Sequence, residues 1–502
     1  MKREVALVVA AATAAAAVVG LAAGIGACDD GADDDALCVP AAAGAVDFAG
    51  VMGLAGQLPI GTSPEAVARR AEAFGLLAGA GLTTLRQDFL WAALEPAPSV
   101  FEFDDYDALV DDALAHGVRV TGLLVYGNTW ASPGAPDYLR PPDDLADYAA
   151  YAGATAAHFA GRVDDWEVWN EPNVYFFWMS TPGGDPPRYG EMLKAASTAI
   201  RAADPGATVI LGGTLWHAQP FVALGSVEFL EALFDAHPDL ADYFDAAAVH
   251  PYELYPPAFG PEASDVGEVP VPEQLARVRA VLDLHGAGAR PLQVTEIGWP
   301  TWGNVSEPLQ ARWLVRAAIL AAAAGAQRFQ VFTLYDAPPG SGRVPPEEHF
   351  GLVSYDVTPL DGILPTPKAA YSGLAVLSAT LAGTVPVCAN VAMLGDGSDD
   401  GATGDAGAGA GGVGGGAAAT GPVHAVRFER PDGARRVTAV WHEEDPDQPV
   451  GEPFPRRALR ALAGAVEARL VSFDGAQSVL DAAAPAHVLV PSPEPVYIVE
   501  WR

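Results

Sequence analysis

Basic side chains are scarce in this sequence. The 502 residues include 28 lysines and arginines against 63 aspartates and glutamates, which gives a formal net charge of −35. A chain this acidic has no cationic surface with which to release counterions from phosphates, so nucleic acid is excluded as a partner. Hydrophobic residues still make up 50% of the chain and charged residues only 18%, so the chain can bury a core.

Metal-ligand and cofactor patterns are also missing from the sequence. The 10 histidines are scattered, with no His-x-x-x-His pair and no cluster at ligand spacing, so no metal is predicted. No Gly-x-Gly-x-x-Gly segment follows a predicted strand, and no Gly-x-Ser-x-Gly elbow occurs. We therefore expect a protein that works without a cofactor.

Cysteine is rare, and the first of the three cysteines ends an export signal. Lys2 and Arg3 precede an apolar run over residues 5–23, and Ile25-Gly26-Ala27-Cys28 then resembles a bacterial lipobox. In a lipobox the cysteine is lipidated and becomes the new N terminus, which predicts a signal over 1–28 and an acidic tether over 29–45. An uncleaved membrane anchor over 5–27 is the alternative. Both interpretations predict an exported protein that meets the membrane only at its N terminus.

The other two cysteines, Cys38 and Cys388, would then lie in an oxidising compartment. We expect a disulfide between them that joins the tether to the segment after the main domain. Two unrelated buried thiols are the alternative.

Short apolar strands alternate with amphipathic helices from about residue 46, which predicts a parallel α/β fold. Ser63 and Pro64, for example, begin a helix over 64–80. The predicted strands are Val51–Gly56, Thr83–Asp88, Val118–Tyr126, Val163–Asn170, Ala207–Gly213, Ala246–Tyr252, Leu292–Gly298 and Phe329–Tyr335.

Eight strand–helix units of about 42 residues each predict a (β/α)8 TIM barrel over residues 46–384. A doubly wound open sheet has the same alternation and is the alternative. After the barrel, short strands follow one another mostly without helices, which predicts a small β-sandwich over 385–502. Its insert over 395–421 is almost wholly Gly, Ala, Asp, Ser and Thr, and we expect it to be disordered.

Two glutamates lie at predicted strand ends. Glu171 follows the fourth strand, which Pro172 stops, and Glu296 ends the seventh. The 125 residues between them equal three barrel units, so both side chains should reach the carboxyl-end face, where catalytic residues of such barrels lie. Hydrolysis of a glycosidic bond needs such a pair, because one carboxyl group protonates the leaving oxygen and the other attacks the anomeric carbon.

The segments around both glutamates resemble the retaining glycoside hydrolases of clan A. The resemblance rests on Asn170-Glu171-Pro172 after the fourth strand and on the Thr-Glu-x-Gly-Trp segment over 295–299. Within the clan, Trp-Glu-Val-Trp-Asn-Glu-Pro-Asn over 166–173 is most similar to glycoside hydrolase family 39, with family 5 the near alternative. Family 39 includes β-xylosidases and bacterial exopolysaccharide endoglycosidases. The resemblance covers residues 48–500 and implies a barrel with a following sandwich.

The resemblance implies roles for the catalytic pair: Glu171 matches the general acid/base and Glu296 the nucleophile. A nucleophile must stay anionic, so a nearby cation and a hydroxyl donor should lower its pKa, while the pKa of the acid must be raised. Glu167 shares strand parity with Glu171 and is interpreted as a structural residue below it.

The resemblance also implies roles for four neighbouring residues. Asn170 matches a ligand of the sugar 2-hydroxyl group, Arg86 a cation that keeps the nucleophile ionised, and Tyr252 a hydrogen-bond donor to it. His250 is expected to line the same pocket. A structural ion pair for Arg86 and a core position for His250 are the alternatives.

Tryptophans concentrate at predicted strand ends and in the loops after them. Sugar rings stack on aromatic faces, so we expect substrate contacts there. Trp130 and Trp299 are candidates, and Trp178 closes an aromatic cluster over 175–178 that would form a platform beyond the cleaved bond. Packing of that cluster on its own barrel is the alternative. Strand eight ends in Tyr335 where many clan members have tryptophan, and we expect Tyr335 to form an apolar sugar platform. Of the 11 tryptophans, the seven at these positions are Trp91, Trp130, Trp169, Trp178, Trp216, Trp299 and Trp302.

The sequence thus predicts a retaining glycosidase that acts on β-linked oligo- or polysaccharides. A transglycosylase that remodels matrix polysaccharide shares every catalytic residue and is one alternative. A non-catalytic, carbohydrate-binding surface lipoprotein is the other, and the intact pair of glutamates disfavours it.

Overall fold

The computed structural model describes most of the chain after residue 38. The described residues are 39–42, 46–133, 139–179, 184–218, 223–252, 257, 259–262, 269–337, 341, 343–354, 366–389, 394–395, 423–442, 457–460, 464–484, 486–489 and 493–502. The predicted signal with Cys28, the tether up to Cys38 and the insert beyond Gly395 lie outside these residues. Residues 38–502 form one compact unit.

Eight parallel strands close into a barrel, which confirms the predicted fold class. Neighbouring strands pair in sequence order, and the first pairs with the last. Ala246–His250, for example, is buried at every position, as expected for a parallel strand that is covered on both faces. The barrel strands are β2 (Met52–Ala55), β3 (Thr84–Leu90), β4 (Arg119–Val125), β5 (Asp165–Val168), β6 (Thr208–Leu215), β7 (Ala246–His250), β8 (Leu292–Ile297) and β9 (Ala326–Phe332).

Helices connect the barrel strands and cover them on the outside. The predicted capping is present in the first helix, where Ser63 Oγ accepts the Ala66 backbone N–H and Gly81 ends the helix with a φ of 69°. The helices are α1 (Pro64–Ala80), α2 (Trp91–Leu94), α3 (Asp104–Ala115), α4 (Leu145–Phe159), α5 (Pro186–Ala203), α6 (Ser226–Ala236), α7 (Val271–Leu284), α8 (Glu307–Ala323) and α9 (Ala369–Leu381). In the part of the chain that the structure describes, none of them is long and apolar enough to span a membrane.

Three barrel strands contain an extra residue relative to a neighbour: β9 opposite Leu292–Val294, and β6 and β8 closer to their carboxyl ends. From Leu211 to Thr214 the chain of β6 advances three residues while its partner β7 advances two. From Val294 to Ile297 the chain of β8 likewise advances three residues while β9 advances two. A bulge of this kind breaks the strict alternation of side chains between the two faces of a strand. The bulges in β6 and β8 lie next to the candidate site described below.

The C-terminal region forms antiparallel sheets, as predicted. After a short pair, β10 (Val353–Ser354) and β11 (Thr366–Pro367), a seven-stranded sheet has the order β1-β12-β14-β15-β20-β17-β18, and a three-stranded sheet has the order β13-β16-β19. The strands are β1 (Val39–Pro40), β12 (Val385–Ala389), β13 (Leu394–Gly395), β14 (Val423–Glu429), β15 (Arg435–His442), β16 (Arg457–Arg460), β17 (Glu467–Val471), β18 (Gln477–Leu480), β19 (Ala486–Leu489) and β20 (Val496–Trp501).

The end of the predicted tether belongs to this sheet. Pro40 of β1 lies opposite Cys388 of β12, so these residues form an edge strand and not a free linker. Cys388 is disulfide-bonded. Because Cys28 and Cys38 lie outside the described residues, the pairing of Cys388 with Cys38 stays a prediction.

A buried ion pair joins the barrel to the C-terminal sheet. Arg316 of α8 makes two hydrogen bonds to Glu262, with Nε–Oε1 and Nη2–Oε2 distances of 2.8 and 2.7 Å. The indole N–H of Trp441 in β15 donates to the same carboxylate at 2.8 Å. Both charged side chains are almost fully buried, so the charge of each is compensated by its partner and not by water.

Candidate active site

The polar residues singled out in the sequence meet at the carboxyl ends of the barrel strands. Arg86 lies in β3, His250 ends β7, and Glu296 lies near the end of β8. Asn170 and Glu171 follow β5 directly. Glu171 and Trp169 both have positive φ values, of 45° and 69°, which non-glycine residues seldom adopt and which are frequent at functional sites.

Glu171, His250 and Glu296 form the centre of this cluster. One oxygen or nitrogen atom from each side chain lies within 4.8 Å of the other two. Such a trio could in principle bind a metal ion. The guanidinium group of Arg86 already contacts Glu296, however, and its charge disfavours a second cation at that carboxylate.

Glu296 is held by a cation and a hydroxyl group, as the sequence predicts. Arg86 Nη1 lies 3.2 Å from Glu296 Oε2, and the Tyr252 hydroxyl donates to Glu296 Oε1 at 3.2 Å. The expected lowering of the pKa is nevertheless wrong. Burial raises the pKa of Glu296 to about 6, and the negative charge of Glu171 adds to this effect, so that together they outweigh the opposing effects of His250 and Arg86.

Glu171 has a more strongly perturbed environment. Its side chain is 7% exposed, and Oε1 lies 2.7 Å from Nδ1 of His250. Burial raises the pKa of Glu171 to about 8, and the acidic neighbours Glu347 and Glu167 add to the effect. The two carboxyl groups therefore differ in proton affinity, with the greater affinity at Glu171.

Arg86 connects the charged and polar residues that lie below Glu171 and Glu296. Its guanidinium group makes two hydrogen bonds to Glu167, at 2.8 and 2.9 Å, and donates to Asn170 Oδ1 at 2.8 Å. Glu167 is fully buried, in keeping with its interpretation as a structural residue. Arg86 is thus both a structural ion-pair partner and a neighbour of Glu296, so the two interpretations of it are compatible.

His250 does not line an open pocket as expected. Its side chain is fully buried, and burial lowers its pKa to about 4. The imidazole ring contacts Glu171 on one side and Thr295 Oγ1, at 3.1 Å, on the other. His250 therefore acts on the site through Glu171 and does not reach a substrate.

The predicted sugar contacts are wrong for Trp178 and Trp299. Trp178 is fully buried and packs edge-on against Trp169 and Tyr189. Trp299 is 3% exposed, and its indole N–H donates to the backbone oxygen of Phe259. A ring covered on both faces offers no surface to a sugar. The concentration of tryptophans at this end of the barrel thus partly reflects packing of the loops.

Other aromatic residues on this face remain accessible. Trp130 is half-buried, with its indole N–H on the backbone oxygen of Glu95. Tyr335 is half-buried and its hydroxyl donates to Glu72. Phe176 and Trp302, in the loops after β5 and β8, are 58% and 43% exposed. These four are among the partly exposed aromatic residues in the segments that follow the barrel strands.

Two residues that sequence reasoning missed complete the cluster. Thr295 contacts His250, and a Cβ atom at Gly213 would lie 2.2 Å from His250 Nε2, so only glycine leaves room for the ring. Strand alternation predicts that Thr295 and Glu296 face opposite sides. The bulge in β8 removes that alternation, and both side chains reach the cluster.

Comparison with known proteins finds similar folds. No protein-family model matches the chain. Among curated proteins, a β-1,4-xylanase of Dictyoglomus thermophilum is 32% identical over 85 residues, or 16% of this chain. That match spans only 23% of the xylanase.

Solved structures cover nearly the whole chain. A family 39 glycoside hydrolase from the gut symbiont Bacteroides cellulosilyticus WH2 is similar over 91% of this chain and 82% of its own, with a TM-score of 0.65 and 21% identity. A monomeric β-xylosidase from Caulobacter crescentus CB15 is similar over 92% and 98%, with a TM-score of 0.60 and 18% identity. A family 39 enzyme from Xanthomonas axonopodis pv. citri is similar over 93% and 96%, with a TM-score of 0.59 and 17% identity. At these identities the similarity shows a shared fold.

Proposed function

We propose that the chain is a retaining glycoside hydrolase that cleaves β-glycosidic bonds by double displacement. The observation that carries the proposal is the close approach of the two carboxyl groups, because one oxygen of Glu171 lies within 4.8 Å of one oxygen of Glu296. Retaining glycosidases have carboxyl groups about 5–5.5 Å apart, whereas inverting enzymes leave about 6.5–9.5 Å for a water molecule. Nearest oxygens within 4.8 Å leave little room for a water molecule between the two groups, which supports direct attack by one carboxylate.

The two pKa values assign the roles within the pair. Glu296, with a pKa of about 6, is the more readily ionised group and attacks the anomeric carbon. Glu171, with a pKa of about 8, still carries a proton at neutral pH and gives it to the leaving oxygen. In the second step Glu171 takes a proton from water, which hydrolyses the glycosyl ester on Glu296. A protein that only binds carbohydrate has no need for two carboxyl groups tuned apart in this way.

The substrate is proposed from the site and from the similar proteins together. The relatives named above include a β-xylosidase and a β-1,4-xylanase, and family 39 is the family that the residues around Glu171 most resemble. We therefore assign an oligo- or polysaccharide with a β-linkage as the substrate. The accessible rings of Trp130, Tyr335, Phe176 and Trp302 give a sugar chain apolar surfaces outside the bond that is cleaved.

The pKa values predict a bell-shaped pH profile. We expect kcat/KM for an aryl β-glycoside to rise as Glu296 ionises near pH 6 and to fall as Glu171 loses its proton near pH 8. Because the two carboxyl groups interact electrostatically, the two apparent pKa values of the profile describe the titration of the pair as a whole. Initial rates across the pH range measure this profile, and Glu171→Gln should lack the alkaline limb. An alkaline limb that Glu171→Gln leaves in place would contradict the assignment.

Azide rescue tests the acid/base role of Glu171. We expect Glu171→Ala to lower kcat by about 10²–10⁴-fold on substrates with poor leaving groups, because general acid catalysis is lost. Azide should restore turnover of an activated aryl β-glycoside and yield the β-glycosyl azide, since this anion attacks the glycosyl ester on Glu296 without needing a base and releases the Glu296 carboxylate. Glu65→Ala, at an exposed glutamate of α1, is the matched control and should behave as wild type. Full activity of Glu171→Ala on a natural glycan would overturn the role.

We also propose that the enzyme is exported and lipid-anchored through Cys28. The N-terminal signal and lipobox support this proposal. The disulfide at Cys388 is independent support, because disulfides persist in oxidising compartments and are rare in the cytosol.

A further inference from the structure

A chain of buried hydrogen-bonding groups leads from Glu171 into the barrel. Glu171 Oε1 lies 2.7 Å from His250 Nδ1, and His250 Nε2 lies 3.1 Å from Thr295 Oγ1. Thr295 Oγ1 lies 3.4 Å from Glu167 Oε1. The side chain of Glu171 is nearly fully buried, and the other three side chains are fully buried.

The imidazole ring of His250 is neutral in this setting. Burial lowers its pKa to about 4, with Arg86 acting in the same sense and Glu296 and Glu167 against it. A neutral ring carries one proton, on either Nδ1 or Nε2. The two tautomers set opposite directions for the hydrogen bonds on either side of the ring.

The proposed reaction requires the Nδ1–H tautomer. If Nδ1 donates to Glu171 Oε1, that oxygen accepts in both protonation states, and the acid proton resides on Oε2, free to reach a substrate. If the proton is on Nε2, Glu171 must itself donate to Nδ1, which turns the acid proton into the barrel and away from the leaving oxygen. Only the first arrangement leaves Glu171 able to act as an acid.

The surroundings of Thr295 favour the same direction. Glu167 Oε1 already accepts from Arg86 Nη2 at 2.9 Å and from the Gly213 backbone N–H at 2.9 Å. The Thr295 hydroxyl lies closer to His250 Nε2 than to that oxygen, at 3.1 against 3.4 Å. The hydroxyl has one proton, which it gives either to Nε2 or to Glu167 Oε1. The shorter distance and the two donors already present on Glu167 Oε1 favour donation to Nε2.

The backbone is arranged to seat this pair. The β8 bulge turns Thr295 toward the interior beside Glu296, and the β6 bulge lies at Gly212 and Gly213, where the ring of His250 rests. The carbonyl oxygen of Gly213 also accepts the Glu171 backbone N–H at 2.9 Å. The position of the ring and that of the acid are thus set by the same residue.

We propose that Thr295 is a positioning residue of the glycosidase, whose hydroxyl donates to His250 Nε2, fixes the Nδ1–H tautomer and directs the acid proton of Glu171 to Oε2. The inference rests on the proposed function for its consequence in catalysis. The tautomer itself is a property of the folded protein and is measurable without any substrate.

Nitrogen NMR of protein labelled with ¹⁵N-histidine tests the tautomer. We expect the His250 signals, identified by their loss in His250→Gln, to show a protonated Nδ1 and a bare Nε2 at neutral pH. Thr295→Ser, which keeps the hydroxyl group, should give the same pattern. A protonated Nε2 in the wild-type protein would overturn the inference, even if the protein proved to be a glycosidase.

Kinetics with a series of aryl β-glycosides tests the consequence. We expect Thr295→Val to lower kcat about tenfold, roughly the worth of one buried hydrogen bond, with KM unchanged. The loss should grow as the leaving group becomes poorer, because only those substrates need the acid proton. Thr295→Ser should restore most of the rate. Thr121→Val is the matched control, since Thr121 Oγ1 is buried in β4 and has no hydrogen-bond partner among the described residues.

The outcomes separate the inference from the proposed function. An equal loss for all leaving groups would show a purely structural role for Thr295 and would overturn the inference. A wild-type protein with the Nδ1–H tautomer but without activity on any aryl glycoside would contradict the proposed function instead. If Thr295→Val does not fold, the NMR experiment on the wild type and Thr295→Ser still decides the tautomer.

Discussion

Replacing Glu296 by alanine is expected to abolish hydrolysis, with kcat on an activated aryl β-glycoside reduced by about 10⁵-fold. In the proposed mechanism Glu296 forms the covalent bond to the sugar, and none of the other carboxyl groups described here lies at the same point of the network. Arg86 and Tyr252, which contact Glu296 at 3.2 Å, would then face a space without an anion. Steady-state rates of the purified variant measure the loss.

The stereochemistry of rescue distinguishes Glu296 from Glu171. Azide should enter the cavity of Glu296→Ala and attack the anomeric carbon directly, which gives the α-glycosyl azide from a β-substrate. A 2-fluoro glycosyl inhibitor should label Glu296 of the wild-type protein, as peptide mass analysis would show. Glu273→Ala, at an exposed glutamate of α7, is the control. Labelling of another residue would refute the assignment of the nucleophile.

Replacing Arg86 by methionine is expected to lower the free energy of unfolding by about 3–5 kcal/mol. Arg86 is 5% exposed and is the cation for Glu167, which is fully buried, so its removal leaves a carboxylate without compensation. Chemical unfolding followed by circular dichroism gives the value. Arg69→Met, at a partly exposed ion pair on α1, should cost about 1 kcal/mol or less.

A second substitution shows whether the loss comes from the uncompensated charge. Adding Glu167→Gln to Arg86→Met removes the fully buried carboxylate and should recover part of the stability, because only the more exposed Glu296 is then left without its cation. A double variant as unstable as the sum of the two single variants would exclude this explanation. The Arg86 variants should also be slow enzymes, since the pKa of Glu296 rises further when its cation is lost.

Patterns that repeat along the chain predicted the fold. The eight strands were placed within a few residues of β2–β9, and the spacing of Glu171 and Glu296 put both at one mouth. These features depend on local periodicity and on the closure of the barrel, and both leave a signal in the sequence. The short edge strand β1 leaves none, because its partner β12 lies more than 300 residues away.

The orientation and burial of individual side chains leave no repeating pattern in the sequence, so they could not be predicted from it. The sequence shows where tryptophans concentrate, but not that Trp178 and Trp299 turn into the protein. The pKa of Glu296 was predicted with the wrong sign because a sequence displays the charged neighbours of a residue and hides the depth at which it is buried. Thr295 was missed because a bulge reverses the side on which an alternating strand would place it.

The Glu262–Arg316–Trp441 contact makes the barrel depend on the C-terminal sheet. The barrel contributes both charges of the pair, and the C-terminal sheet contributes the indole N–H that satisfies Glu262 Oε1. A barrel joined to a C-terminal region without Trp441 would bury the same ion pair against a surface that lacks the indole N–H. The C-terminal sheet is therefore part of what compensates a buried charge in the barrel, and a barrel produced without this sheet would leave Glu262 short of one hydrogen-bond donor.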